Sequence, residues 1–142
     1  MFHFVISLLF PLIIFSQQIS DDICGTWLEE KKESHIEIYK INDKYYGKIV
    51  WLANPLNDDR SIKLDKKNPD PGLKNRNILG LDIIKNLEFI ESNNWSNGQI
   101  YDARTGKTYK LNAKLKSKDI LLLRGFLGFS LIGKTTNWSR VK

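Results

Sequence analysis

The side chains that could do chemistry are few. The 142 residues include two histidines, His3 and His35, and one cysteine, Cys24. Structural or catalytic zinc takes three or four such ligands, so the inventory leaves no zinc site to build, and no cofactor is implied. His35 is the one imidazole outside the N-terminal apolar run. Between Ser34 and Ile36, with Glu37 on the same side of the strand, it reads as a surface histidine rather than the base for a nucleophile. The carboxylates Asp58, Asp59, Asp65 and Asp70 fit no calcium-loop spacing, and Lys63, Lys66 and Lys67 lie among them. A carboxylate pair for acid and base work, such as Asp70 with Asp102, would need residues 53–77 to fold against the segment around Asp102.

The aromatic residues Trp27, Tyr45, Trp51, Tyr101, Tyr109, Phe126, Phe129 and Trp138 offer a different chemistry. Rings supply large apolar area with few rotamers, so this set either lines a ligand cavity or forms the core itself.

The elements that would position these groups are strands. The clearest is the arm from Tyr109 to Lys116, with Tyr109, Leu111, Ala113 and Leu115 on one face and Lys110, Asn112, Lys114 and Lys116 on the other. That is a strand with one dry face and one wet face. It is the second arm of a hairpin turning at Asp102-Ala-Arg-Thr-Gly-Lys107, where Gly106 can take the positive φ that such a loop needs.

Further strands are predicted at Gly25-Thr-Trp-Leu-Glu29, at Ser34–Ile41 and, after an Asn42-Asp43 turn, at Lys44–Leu52. Tyr45, Gly47, Ile49 and Trp51 should share one face of the last of these, with Gly47 allowing a bend. A short strand is expected at 87–90, turns at Asn93-Asn94 and Asn97-Gly98 around Trp95, and strands at Ile120–Phe126 and 134–141. Between them, residues 53–77 carry Pro55, Pro69 and Pro71 and form a long polar connection, expected to pack down as a lid. The expected fold is all-β, a single antiparallel up-and-down barrel of about eight strands that removes its edges by closing; a sandwich is the alternative. An eight-stranded barrel either fills its interior with side chains or holds one small ligand.

Residues 4–15 are almost wholly apolar and too short to span a bilayer. Residues 1–17 therefore read as a signal peptide cleaved near Ser16 to Gln18, residues 18–24 as a polar lead-in, and residues 25–142 as the barrel domain. The mature protein is expected in a periplasmic or extracellular space. Its lone Cys24 allows no internal disulfide, so packing alone must hold the core. The net charge of +6 survives cleavage, because residues 1–17 hold no Lys, Arg, Asp or Glu. A basic surface suits acidic envelope polymers or anionic lipid, and export argues against nucleic acid.

Two groups of motifs carry a resemblance. Gly25-Thr-Trp27 with the late Trp138-Ser-Arg140 resembles the Gly-X-Trp clasp of lipocalin-like barrels, in which a basic residue packs over the early tryptophan; Arg124 competes with Arg140 for that role. Gly47-Lys-Ile-Val-Trp-Leu52, Asp65-Lys-Lys-Asn-Pro-Asp-Pro71, Ile78-Leu-Gly-Leu81, Gly98-Gln-Ile-Tyr-Asp102, Thr105-Gly-Lys-Thr-Tyr109, Leu123-Arg-Gly-Phe-Leu-Gly128 and Trp138-Ser-Arg-Val141 together resemble the bacterial exported family DUF2147. The match runs from about Gly25 to Val141. The family usually carries a cysteine pair around its second turn, where this chain has Asn42 and Tyr46.

The resemblance implies a lipocalin-like barrel and an envelope location, with no established activity to carry over. It singles out the polar positions Asn68, Asp70, Arg76, Tyr101, Asp102 and Arg124. With Tyr45, Trp51, Tyr109 and Phe126 they make up the expected ligand-binding set; Gly25, Trp27, Trp138 and Arg140 are the expected clasp. The function expected is a monomeric carrier of a small apolar or amphipathic molecule. The rival readings are an envelope enzyme using Asp70 or Asp102, and a basic-surface protein holding an acidic partner through Lys110, Lys114 and Lys116.

Overall fold

The computed structural model describes residues 19–128 and 132–142, together with Phe2 and Val5. The expected signal segment, apart from those two positions, and Phe129 lie outside the described residues.

Eight strands are found among the described residues: β1 (Gly25–Leu28), β2 (Ser34–Ile41), β3 (Lys44–Leu52), β4 (Asp82–Glu91), β5 (Asn94–Asp102), β6 (Lys107–Ser117), β7 (Ile120–Phe126) and β8 (Gly133–Arg140). Each pairs antiparallel with the next, and β8 returns to β1 through Trp27 opposite Arg140 and Leu28 opposite Ser139, closing the barrel. Closure satisfies every ladder and leaves no edge. The expected up-and-down barrel is observed, and the sandwich is not.

Alternation accounts for most of what faces inward. On β6, Leu111, Ala113 and Leu115 are buried while Lys110, Lys114 and Lys116 stand in solvent. On β2, Ile36 and Ile38 are buried between half-exposed polar neighbours. The tight turns use residues that tolerate positive φ: Asn42 at 55° between β2 and β3, and Ser92 at 43° with Asn93 at 67° between β4 and β5.

Of the bulges that interrupt the ladders, three alter an expectation. His35 pairs with Trp51 but Ile36 pairs with Ile49, so β3 carries an extra residue at Val50. The extra residue flips the end of the strand. Trp51 therefore faces out, stacked on His35 with ring centroids 4.4 Å apart, instead of sharing the inner face with Tyr45, Gly47 and Ile49. On β4, Gly47 pairs with Ile84 and Tyr45 with Leu87, so three residues on β4 span what two span on β3, and Asn86 sits at φ 59°. Exposing both Lys85 and Asn86 lets the strand run from Asp82 to Glu91 rather than over 87–90 alone. On β5, Trp95 opposes Ala113 and Gly98 opposes Leu111. Asn97-Gly98 is thus a bulge inside a strand, with Asn97 at φ 63°, rather than a turn.

The barrel has one sealed end. Residues 19–21 make a helical turn beneath it, and the chain then enters β1. Trp27 Nε1 donates to the Ile23 carbonyl at 2.9 Å, Trp95 Nε1 to the Ser20 carbonyl at 3.3 Å, and Tyr45 Oη to Asp21 Oδ1 at 2.8 Å. Lys40 reaches the same Asp21 carboxylate at 3.1 Å. Ile23, Trp27 and Trp95 are wholly inaccessible. Residues 19–24 therefore plug this end, fixed because the indole N–H groups of Trp27 and Trp95 find acceptors in their backbone.

The clasp completes that end. The Arg140 guanidinium lies 4.2 Å from the Trp27 ring centroid and donates to the carbonyls of Lys118 at 2.8 Å, Cys24 at 2.8 Å and Asp22 at 2.7 Å. Gly25, at φ 128°, is needed beneath it: a Cβ there would come within 2.7 Å of Arg140 Nη1. Trp138, expected to belong to the clasp, is buried on β8 and faces the interior cavity.

Candidate functional site

The other end is open. The β1–β2, β3–β4, β5–β6 and β7–β8 connections surround a cavity of about 740 Å³ that runs down into the barrel. Its walls are mainly aliphatic, with Ile36, Ile49, Leu52, Ile100, Leu111 and Leu123 among them, and Tyr109, Phe126 and Trp138 add ring surface. The aliphatic wall residues are the inward members of alternating strands, with Leu52 turned inward by the Val50 bulge; Phe126, opposite the outward Lys110, joins the lining at the end of β7. A volume in the range of roughly 300–1,000 Å³ with apolar walls and few polar groups is what a small-molecule site requires.

Polar groups gather at the mouth. The Glu29 carboxylate is buried and accepts from the backbone N–H of Lys31 at 3.0 Å and of Glu33 at 2.8 Å, which ties down the β1–β2 turn. Asp102 accepts from the Arg104 backbone N–H at 2.9 Å and its Nε at 3.3 Å, and Arg104 Nη1 lies 3.7 Å from Glu33. Tyr109, near the start of β6, also lines the cavity, and its hydroxyl has no hydrogen-bond partner among the described residues.

Residues 53–77 form part of the mouth, through Asn54 and Lys63, and Ile78 follows directly. They pack down into an ordered wall, held by bridges between Leu56 and Ile62 and between Leu64 and Asn77. Its anchor is Asp65, whose side chain is fully buried. That carboxylate accepts from Tyr101 Oη at 2.5 Å, Asn68 Nδ2 at 2.9 Å and Arg76 Nη2 at 3.0 Å. Burial alone would raise the Asp65 pKa, but the three donors outweigh it and hold the group below the ordinary carboxylate value. Burial and the adjacent carboxylate push Tyr101 up to about 12. The β5–β6 hairpin packs on the same loop. Gly106, at φ 76°, lies where a Cβ would come within 1.9 Å of the Lys67 carbonyl oxygen, so no other residue fits that turn.

The expected binding residues therefore separate into groups. Tyr101, Tyr109, Phe126 and Asp102 do line the cavity. Tyr45 is packed in the sealed end against Trp95, with centroids 6.5 Å apart, and Trp51 is on the outer surface. Asn68 and Arg76 bind Asp65 rather than the cavity, and Asp70 caps the 3-10 turn Pro71–Leu73 by accepting from Gly72 N at 2.9 Å. Arg124 lies opposite Asn112 and Thr135 and donates to Thr135 Oγ1 at 3.4 Å. The aliphatic walls, the Asp65 anchor and the mouth lysines were not singled out from the sequence. Inward alternation on β2 and β6 pointed to the walls, but nothing local pointed to the pairing of Asp65 with Tyr101, 36 residues away.

A closed eight-stranded meander with a plugged floor, an arginine over an early tryptophan and an apolar interior open at one end is a lipocalin-like barrel. Within that class, the chain belongs to the family described as an uncharacterized protein conserved in bacteria (DUF2147), whose profile matches residues 25–140. A solved structure similar to it is that of protein HP1028 from the human pathogen Helicobacter pylori, described as belonging to the lipocalin family. The two share 25% identity, with a TM-score of 0.74 over 84% of this chain and 83% of that one. No curated protein matches the sequence.

Proposed function

We propose that this protein is an exported, monomeric carrier that takes a small apolar or amphipathic molecule into the barrel cavity, with residues 1–17 as its cleaved signal. The observation that carries the reading is the aliphatic cavity of about 740 Å³, open at one end and sealed at the other. Apolar walls with so few interior polar groups favour a ligand whose buried portion makes no demand for hydrogen bonds. The likeness to a lipocalin-family structure agrees with this. Closure of the sheet leaves no strand edge to recruit a second copy, which supports the monomer.

Native mass spectrometry on protein exported from a bacterial host and purified without detergent tests both parts. The expected result is a chain lacking about 17 residues by the signal-peptide reading, with an extra mass that leaves on denaturation. A full-length chain would overturn export. A clean apo mass that stays unchanged on titration with single-chain amphiphiles would overturn the carrier.

A second reading rests on the outer face of β6. Lys110, Lys114 and Lys116 project there into solvent, and none forms an ion pair among the described residues. Salt-sensitive retention on an acidic polymer, abolished by neutralising these three, would support it.

A further inference from the structure

Eight charged side chains line the mouth of the cavity: Glu29, Glu30, Lys31, Glu33, Lys63, Asp102, Arg104 and Lys134. Their formal charges cancel, but their availability does not. Every carboxylate is already engaged. Glu29 is held by two backbone N–H groups of its own turn, and Glu30 accepts from Asn137 N at 3.2 Å. Asp102 and Glu33 flank Arg104, with Nε 3.3 Å from Asp102 and Nη1 3.7 Å from Glu33, so that cation already stands between two carboxylates. The ammonium groups of Lys31, Lys63 and Lys134 have no ion-pair or hydrogen-bond partner among the described residues. They come from three different connections, β1–β2, β3–β4 and the start of β8, and so stand around the opening rather than on one side of it.

A ligand group arriving at this mouth therefore meets free cations and satisfied anions. An anionic head can pair with the lysines without breaking any existing contact. A cationic head must either compete with Arg104 and the backbone N–H groups for a carboxylate or lie beside the unpaired lysines. Below the rim the lining is mainly aliphatic and aromatic, and the Tyr109 hydroxyl and the Trp138 indole N–H have no hydrogen-bond partner among the described residues.

We infer that the cavity's ligand is an anionic amphiphile: a single apolar tail inside the barrel and a carboxylate or phosphate head at the ring of Lys31, Lys63 and Lys134. The inference rests on the carrier reading above and adds the sign of the head.

The test is a matched series sharing one dodecyl tail: dodecanoate, dodecyl phosphate, monolauroylglycerol and dodecyltrimethylammonium. Each is titrated below its micelle concentration and followed by calorimetry and by the fluorescence of the cavity tryptophan, Trp138. The two anions are expected to bind at least about ten-fold more tightly than the cation, a difference that narrows with salt. The triple variant Lys31→Gln, Lys63→Gln, Lys134→Gln should erase the difference between anionic and cationic heads. Glu33→Gln, which removes one carboxylate charge from the rim, should widen it. Equal affinity for all four compounds, or a preference that survives the triple variant, overturns the inference about the head and leaves the carrier standing. Binding of none of them overturns the carrier itself.

Discussion

The two ends of the barrel are built from the same strands and have opposite polarity of purpose. At the sealed end, large rings are packed until nothing is accessible, and each indole or phenol finds an acceptor in residues 19–24. At the open end the same strands present smaller aliphatic side chains, and the space that rings would have filled is left as cavity. Packing density is near that of crystals in a finished core, so an interior of this size left unfilled forgoes dispersion energy that the sealed end collects. The difference teaches that stability is concentrated in one half of the molecule, which frees the other half to be shaped for a ligand.

The sharpest way to break that comparison is to truncate one ring at each end. Trp27→Ala removes a fully buried indole together with its hydrogen bond and the platform for Arg140. It should cost about 3–5 kcal/mol in chemical denaturation. Phe126→Ala removes a ring that already faces the cavity and should cost less than about 1 kcal/mol. Similar losses at the two positions would mean that the open end is as tightly packed as the floor.

Next in size is the anchor that holds residues 53–77 against the open end. Asp65→Ala strands Tyr101 and Asn68 without their acceptor and leaves Arg76 without its partner, at a cost of roughly 2–3 kcal/mol. The sign of its pH dependence follows from the depressed pKa. The folded state favours the carboxylate, so its contribution is fully present above the ordinary value of 3.8 and is lost as the pH falls through the lower folded value. Wild-type stability should therefore fall more steeply than that of Asp65→Asn in denaturation series carried below about pH 4. Parallel curves would show that Asp65 does not titrate as a buried, donor-saturated carboxylate.

These effects also mark what could be read in advance. Alternation on β2 and β6 and the Gly25, Trp27 and Arg140 clasp were legible because each is a short-range pattern, or one fixed by barrel closure. The outward turn of Trp51 was not, since the Val50 bulge that causes it is an extra residue visible only against the register of β2. The part that residues 19–24 play at the barrel floor was not legible for a related reason: a polar-looking segment supplies backbone carbonyls, and composition does not show which indoles will use them. The site was half legible. Tyr101, Tyr109, Phe126 and Asp102 reach the cavity, while the polar residues of the long loop were bound to one another through Asp65, a partner that only the folded chain brings to β5.

The smallest expected effect comes from a matched pair of changes that sets anchor against cavity directly. Tyr101 and Tyr109 lie on neighbouring strands, one register step apart, since Ile100 pairs with Tyr109 and Tyr101 with Thr108. Removing one oxygen from each is the same chemical change. In Tyr101→Phe the buried Asp65 carboxylate loses a donor at 2.5 Å, and the loss should be about 1.5–3 kcal/mol, because the charge remains without that hydrogen bond. In Tyr109→Phe the oxygen has no partner among the described residues, so stability should change by less than about 0.5 kcal/mol in the unliganded protein. Equal costs would require a hidden partner for Tyr109 and hence a filled interior. A gap of a kilocalorie or more would show that two phenols on adjacent strands belong to different halves of the molecule's economy, one holding the fold and the other waiting for a ligand.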